Sequence, residues 1–202
     1  MATTARERNK RGEGERLREA LLEAARELLA ESPDVDQLSV RAVTARAGVT
    51  PTALYLHFAD MDDLGRAVKT RCFAELAAAL REAEREGDGD PDRQLRAVAR
   101  AYLRYSHENP GHYAMMFHTA KRKKRSRTPP AAVREAGLEA FNILVDAVAR
   151  CPYPPADPFE TACMLWLSLH GRAVIQQTMP WFPLPDEDRY LALLLERCSD
   201  RS

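Results

Sequence analysis

The chain has 202 residues, 45% hydrophobic and 30% charged, and its 30 Lys and Arg balance 30 Asp and Glu. That length buries a real core as one large domain or two modest ones. No uncharged apolar run approaches the roughly 20 residues needed to span a bilayer, which argues against a membrane protein.

The opening stretch MATTARERNKRGEGERLREA carries charge where a secretory signal needs an apolar run, and its Glu residues argue against a transit peptide. The expected location is therefore the cytoplasm. Cys72, Cys151, Cys163 and Cys198 are scattered, with no two at metal-ligand spacing. Each reads as a small buried hydrophobe, and neither a metal nor a cofactor is expected. Zero net charge speaks weakly against a nucleic-acid partner, but distribution matters more than the sum. Residues 39 to 58 hold Arg41 and Arg46 with no acid, and Arg6, Arg8, Lys10 and Arg11 outnumber Glu7 near the start.

Nearly every segment reads as helix. Leu17, Leu21, Ala24, Ala25, Leu28 and Leu29 recur at three- and four-residue intervals, giving an apolar stripe that ends before Ser32 and Pro33. Ser39 suits the N-cap of a short helix through about Ala47, Gly48 stops it, and Thr50-Pro51 opens another with a capping residue followed by proline. Asp60 can cap a longer helix from Met61 to Glu86, with Asp62 and Asp63 in its first turn, where the helix dipole favours negative charge. GDGDP at 87 to 91 breaks it. Further helices are predicted at 92 to 108, 111 to 119, 130 to 150, 157 to 178 and 186 to 198. No β-period alternation and no internal repeat is found. The residues from Leu191 to Leu195 are all apolar and cover most of a helix circumference. One flank can meet its own core while another must meet a partner, and the simplest partner is a second copy of the chain. The fold class expected is all-α.

The segment SVRAVTARAGVTPTALYLHFADMDDL has the organisation of a helix-turn-helix. Val40, Val43 and Ala47 would form an inner face with Val49 and Leu54, and Gly48 sits where a sharp turn needs positive φ. The outward side offers Thr50, Thr52, Ala53 and Leu56, with Tyr55 and His57 at its end. Small, hydroxylated and aromatic groups of this kind can approach base edges, thymine methyls and phosphates. The same pattern fits a helical scaffold without nucleic acid.

AGVTPTALYLHFADMDDL resembles the recognition region of the tetracycline-repressor (TetR) family, with its glycine-valine turn, Leu-Tyr-x-His-Phe ending and acidic start to the next helix. The likeness runs from Leu17 through Val68. It implies a three-helix DNA-binding domain over residues 1 to 60 and a helical ligand-binding and dimerisation domain over 61 to 202. It implies that Ser39 contacts phosphate, that Arg41 reaches a base or phosphate, and that Thr50, Pro51, Thr52 and Ala53 lie at the groove. Tyr55 and His57 would bind the backbone of double-stranded operator DNA, and Phe58 would be core. Two departures stand out. Met61 replaces a common lysine, which should weaken a phosphate contact, and Thr44 replaces a common alanine, whose extra bulk should alter the helix angle.

Downstream, YLRYSHENPGHYAMMF at 102 to 117 and LWLSLHGRAVIQ at 165 to 176 are similar to the branch named for a Trp-His-Gly signature, here Trp166, His170 and Gly171. That branch implies a bundle enclosing a small-molecule effector, with a homodimer formed through the last two helices. Tyr102, Tyr105, Tyr113, Met116, Phe117, Phe141, Trp166, His170 and Gln176 are the candidate lining residues, since cavities favour aromatics, methionine and a few polar groups. His170 is expected to hydrogen-bond inside the bundle, with Gly171 allowing close helix approach. The helix from 61 joins both regions and is the expected lever.

Two other classes compete. A small helical enzyme lacks support, because no phosphate-binding glycine loop, nucleophile elbow or HExxH run occurs, and His112 and His118 do not share a helix face. A helical protein-interaction module accounts for the apolar terminal helices but not for the helix-turn-helix surface. The basic run Lys121 to Arg127 reads as a solvated loop.

Overall fold

A computed structural model describes residues 13–118, 129–152 and 154–199, with backbone alone for 197–199. The basic arm Arg6, Arg8, Lys10 and Arg11 and the loop Lys121 to Arg127 lie outside the described residues. Among the described residues the secondary structure is helical, with no strand.

The first helix, α1 (Glu13–Glu31), buries Leu21, Leu22, Ala24, Ala25 and Leu29 along the predicted stripe. A single 3-10 turn, Val35–Gln37, follows; it was not expected from the sequence, and the Asp34 side chain caps it by accepting from the Asp36 N–H. Helix α2 (Val40–Arg46) starts at Ser39, whose side chain accepts from the Ala42 N–H at 3.2 Å. Gly48 then turns the chain at φ +68°, and α3 (Pro51–Tyr55) follows with proline in its first turn. Five residues cannot hold a helix alone. Leu54 at 0% exposure and Phe58 at 2% anchor it to the core, and the Arg18 guanidinium lies 5.0 Å from the centre of the Phe58 ring.

Helix α4 (Met61–Glu86) spans the predicted range. Asp60 accepts from the Asp63 N–H at 2.8 Å while the Asp63 carboxylate accepts from the Ala59 N–H at 3.1 Å, a reciprocal cap. Its inner face, Leu64, Val68, Cys72, Phe73, Leu76, Ala77, Leu80 and Ala83, is buried, and it packs against α1, α5, α6 and α7. The turn after it places Asp88 and Gly89 at positive φ.

Helices α5 (Pro91–Glu108), α6 (Pro110–Phe117), α7 (Ala131–Ala149), α8 (Pro158–Thr178) and α9 (Glu187–Ser199) complete the bundle. Helix α5 packs on α4, α6, α7, α8 and α9, and α7 packs on α4 and α8. The buried apolar side chains form one continuous core running from α1 through α9. Of the cysteines, Cys72 and Cys151 are buried as expected, whereas Cys163 is only half-buried. Among the described residues no helix is long and apolar enough to cross a membrane.

Because Leu76 is fully buried on the helix that touches both ends of the molecule, Leu76→Ala should cost about 3 kcal/mol. The urea midpoint should fall accordingly, and a shift near zero would contradict this packing.

Candidate functional site

The first candidate surface is built by α2 and α3. Val43 and Leu54 are fully buried, and Val40, Ala47 and Val49 pack partly against them, as the inner face requires. That leaves Ser39, Arg41, Thr50, Pro51 and Thr52 exposed and Ala53 half-buried. Tyr55 is 55% exposed and Leu56 is 71% exposed, large values for such side chains. His57 is half-buried beside Gly14 of α1. Thr50 holds the extended backbone of a cap, but its side chain makes no cap hydrogen bond. Its hydroxyl is thus not spent on the helix.

The two arginines of this segment part company. Arg46 reaches back to α1 and pairs with Glu27 at 3.2 Å and Glu31 at 2.7 Å, and the Arg46 hydrogen bond draws the Glu31 carboxyl below its usual range. Its charge is therefore largely answered within the protein. Arg41 is exposed. Thr44 tucks inward at 2% exposure, with its hydroxyl donating to the Val40 carbonyl at 2.8 Å, so the extra bulk is buried and satisfied. Met61, in the place of the family's lysine, packs partly on the core.

The second candidate site lies where α5, α6, α7 and α8 meet. Tyr102 and Tyr113 share a hydroxyl contact of 2.9 Å, and the Tyr113 hydroxyl lies 2.6 Å from His170 Nδ1. Burial pushes both phenols far up, so they stay protonated, and burial pulls His170 down toward the neutral imidazole. Both hydroxyl hydrogens are used if Tyr102 donates to Tyr113 and Tyr113 donates to His170 Nδ1, which places the imidazole proton on Nε2. Rings continue outward on both sides. Phe117 lies 4.2 Å from His170 and 5.9 Å from Phe73, while Trp166 lies 4.9 Å from Tyr102 and 5.7 Å from Phe141.

Thus Tyr102, Tyr113, Phe117, Phe141, Trp166 and His170 come together. Met116 is buried nearby on α6. Tyr105 turns the other way, its hydroxyl donating to the Cys72 carbonyl at 3.1 Å. Gln176 is exposed on α8, and its neighbour Gln177 instead donates to the Ser106 carbonyl at 2.8 Å. The role given to Gly171 is corrected: a Cβ there would meet nothing within 4 Å, so no helix of the same chain approaches it closely. The close approach falls at Gly111, where a Cβ would lie 1.9 Å from the Leu29 carbonyl oxygen.

Helix α6 is therefore tied at both ends. Near its start, His112 Nε2 lies 3.0 Å from the Arg26 carbonyl oxygen of α1. At its end, Lys69 of α4 donates to the His118 carbonyl at 2.6 Å, and burial lowers the Lys69 pKa. These ties are invisible to spacing rules, because each joins residues far apart in sequence.

Residues 21–68 match the family described as bacterial regulatory proteins, tetR family, and residues 95–198, about half of the chain, match the Tetracyclin repressor-like C-terminal domain. The chain belongs to the TetR family. Its members are transcriptional regulators that bind DNA through the helix-turn-helix and are not enzymes. Two relatives are described as uncharacterized HTH-type transcriptional regulators. One, from Haemophilus influenzae, is 36% identical over 37% of this chain, which spans 36% of that protein's length. The other, Rv0681 from Mycobacterium tuberculosis, is 27% identical over 80% of this chain and 70% of its own. Among solved structures, a protein of unknown function from Rhodococcus sp. RHA1 superposes with TM-score 0.75 at 25% identity, covering 96% of this chain and all of that one. RolR, solved in complex with resorcinol, shares the fold at TM-score 0.64 and 20% identity, covering 93% of this chain and 90% of that one.

The depressed His170 pKa gives the TetR bundle a pH signature. In the unfolded chain this imidazole takes up a proton near pH 6.5, whereas in the fold it does so only at lower pH. Over that interval the unfolded state binds more protons, so stability falls as the pH drops below about 6.5. His170→Gln should remove that part of the acid destabilisation, read as melting temperature against pH.

Proposed function

We propose that this TetR protein is a homodimeric repressor, working in the cytoplasm, that a small molecule releases from a palindromic operator. The DNA-binding unit runs to residue 60 and the effector and dimer unit begins with α4. The observation that carries the reading is the division of α3, whose Leu54 is sealed in the core while Thr50, Thr52, Tyr55 and Leu56 face out. Ser39 and Arg41 supply phosphate contacts beside it, Pro51 and Ala53 let the helix lie close to the groove, and His57 holds the backbone at the far end.

Dimerisation is supported by an uncovered apolar stripe. Met164, Leu167 and Val174 on α8 are 63%, 61% and 37% exposed, and Leu193 on α9 is 49% exposed. Gly171 falls within the same α8 spacing, where an added Cβ would meet nothing within 4 Å, which suits the backbone of a partner helix. Such a two-fold pair sets its recognition helices about 34 to 36 Å apart for successive major grooves.

The effector site is the aromatic cluster around Tyr102, Tyr113, Phe117, Phe141, Trp166 and His170. In the described state these rings lie against one another, so a ligand that enters between them must part them. Tyr113 and Phe117 ride on α6, the same helix whose Gly111 abuts α1. Moving α6 to admit a ligand shifts α1 and the recognition helix with it, alongside the lever of α4. Release follows from any ligand that binds the parted form more tightly.

Selection of duplexes from random DNA should yield a palindrome. Thr52→Ala and Tyr55→Ala should each cost about 1 to 3 kcal/mol of binding, and Arg41→Ala should lower the salt slope by about one. Arg46→Ala should leave that slope unchanged. Leu167→Glu should turn dimers into monomers in sedimentation. Folded Thr52→Ala and Tyr55→Ala variants that bind the selected duplex as tightly as the parent would overturn the assigned face.

A further inference from the structure

Helix α8 has two apolar flanks. Ala162, Leu165, Leu169 and Ala173 are buried in the core of their own chain. Met164, Leu167, Gly171 and Val174 follow one another at steps of three, four and three residues, the alternation that keeps one seam of a helix turned toward a second helix. The three side chains of this seam are exposed, and a Cβ added at Gly171 would meet nothing within 4 Å. Glycine inside a helix is destabilising relative to alanine, and no described residue of the same chain calls for it at this position.

The seam is ready to lose its water. Beside it, Ser168 donates its hydroxyl to the Met164 carbonyl at 2.8 Å, and Thr178 donates to the Val174 carbonyl at 2.7 Å. Covering the seam therefore strands neither hydroxyl.

The order of sizes along the seam identifies what covers it. Leu167 and Gly171 stand two positions either side of Leu169, and Met164 and Val174 stand five positions either side. When a second α8 is turned end for end about an axis level with Leu169, Leu167 meets the partner's Gly171 and Met164 meets the partner's Val174. A large side chain faces a smaller one in both layers, and each layer occurs twice, because in a two-fold contact residue i meets j and j meets i. Leucine on glycine is the layer nearest the axis, where crossing helices come closest, and the longer methionine falls outside it, where they diverge. Helices laid in the same direction would set glycine on glycine and leucine on leucine, a gap in one layer and crowding in the next. Matching about a centre is a property that only a second copy uses.

We infer that two copies of the chain pair through α8 in antiparallel register about Leu169, with Leu167 of each seated on the partner's Gly171. This register presupposes the proposed homodimer and adds its direction and its central contact. Trp166 and His170, which precede Leu167 and Gly171 in the chain, belong to the aromatic cluster. The helix that forms the seam thus also carries one wall of the proposed effector site.

The test uses the full chain with Cys163 and Cys198 replaced by serine, so that the half-buried thiol on α8 does not compete. In the antiparallel register Met164 lies opposite the partner's Val174 but roughly 15 Å along the helix from the partner's Met164. A disulfide joins Cα atoms about 4.4 to 6.8 Å apart. Under mild oxidation the double variant Met164→Cys/Val174→Cys should run as a covalent dimer on a denaturing gel, and each single variant as a monomer. Helices in the same direction reverse the second result, since each single variant then cross-links by itself. The central contact is tested by size. Gly171→Leu, at a position with room in its own chain, should sediment as a folded monomer, and adding Leu167→Ala should restore the dimer.

A parent that sediments as a monomer overturns the homodimer reading and the register with it. A dimeric parent whose single variants cross-link, or whose double variant does not, overturns the register alone. A folded Gly171→Leu variant that remains dimeric overturns the seating of Leu167 on glycine.

Discussion

At Gly111 the start of α6 meets the end of α1 so closely that one added methyl group would lie 1.9 Å from the Leu29 carbonyl oxygen. Backbone against backbone leaves no compliant side chain between the two helices. A displacement of α6 toward α1 therefore cannot be absorbed there by a rotamer change, because packed interiors transmit strain rather than damp it. Only glycine permits the contact. Among the described residues, that approach, the His112 contact with the Arg26 carbonyl and the shared packing of α4 join the aromatic cluster to the helices that carry α3.

The recognition helix is the weak element of this chain of contacts. A helix of five residues lies far below the length at which helices persist alone in water, so its order is borrowed from the core. Leu54 and Phe58 make the loan, while Ser39 fixes the start of the preceding helix and Gly48 sets the angle between the two. Because the anchors are apolar and inward, the outward positions are free of structural duty. Thr50 illustrates this: the backbone forms the cap, and the hydroxyl is left over.

Most of this was legible in the sequence where the signal is local. Caps at Ser39 and Asp60, the breaker at Gly48 and the periodic stripes of α1 and α4 each depend on residues within one or two turns, and the helices fall where those signals put them. The short 3-10 turn at Val35–Gln37 was missed because an Asp cap over three residues leaves no periodicity to detect. Arg46 counts as an unanswered positive charge within residues 39 to 58, because charge counted along the chain ignores a carboxylate supplied by another helix. Gly171 was assigned a close approach that belongs to Gly111, since a glycine in a helix does not disclose which neighbour it faces. In the aromatic cluster composition named the rings, but only the fold shows Tyr105 and Gln176 turned away from it.

The polarity of the bundle interior narrows what could part its rings. With Tyr102 donating to Tyr113 and Tyr113 donating to His170 Nδ1, each hydroxyl hydrogen of the trio is used once and the ring nitrogen accepts. Separating Tyr113 from His170 strands a hydroxyl donor and an imidazole acceptor in a desolvated place, where each unmet group costs about 1 to 3 kcal/mol. A purely apolar molecule would incur that penalty and return only surface burial. One that offers an acceptor to the phenol and a donor to Nδ1 restores both bonds while still stacking on Phe117 and Trp166. Under the proposed effector reading, the cluster therefore favours a flat molecule with hydrogen-bonding groups on one edge over a purely apolar one of the same size.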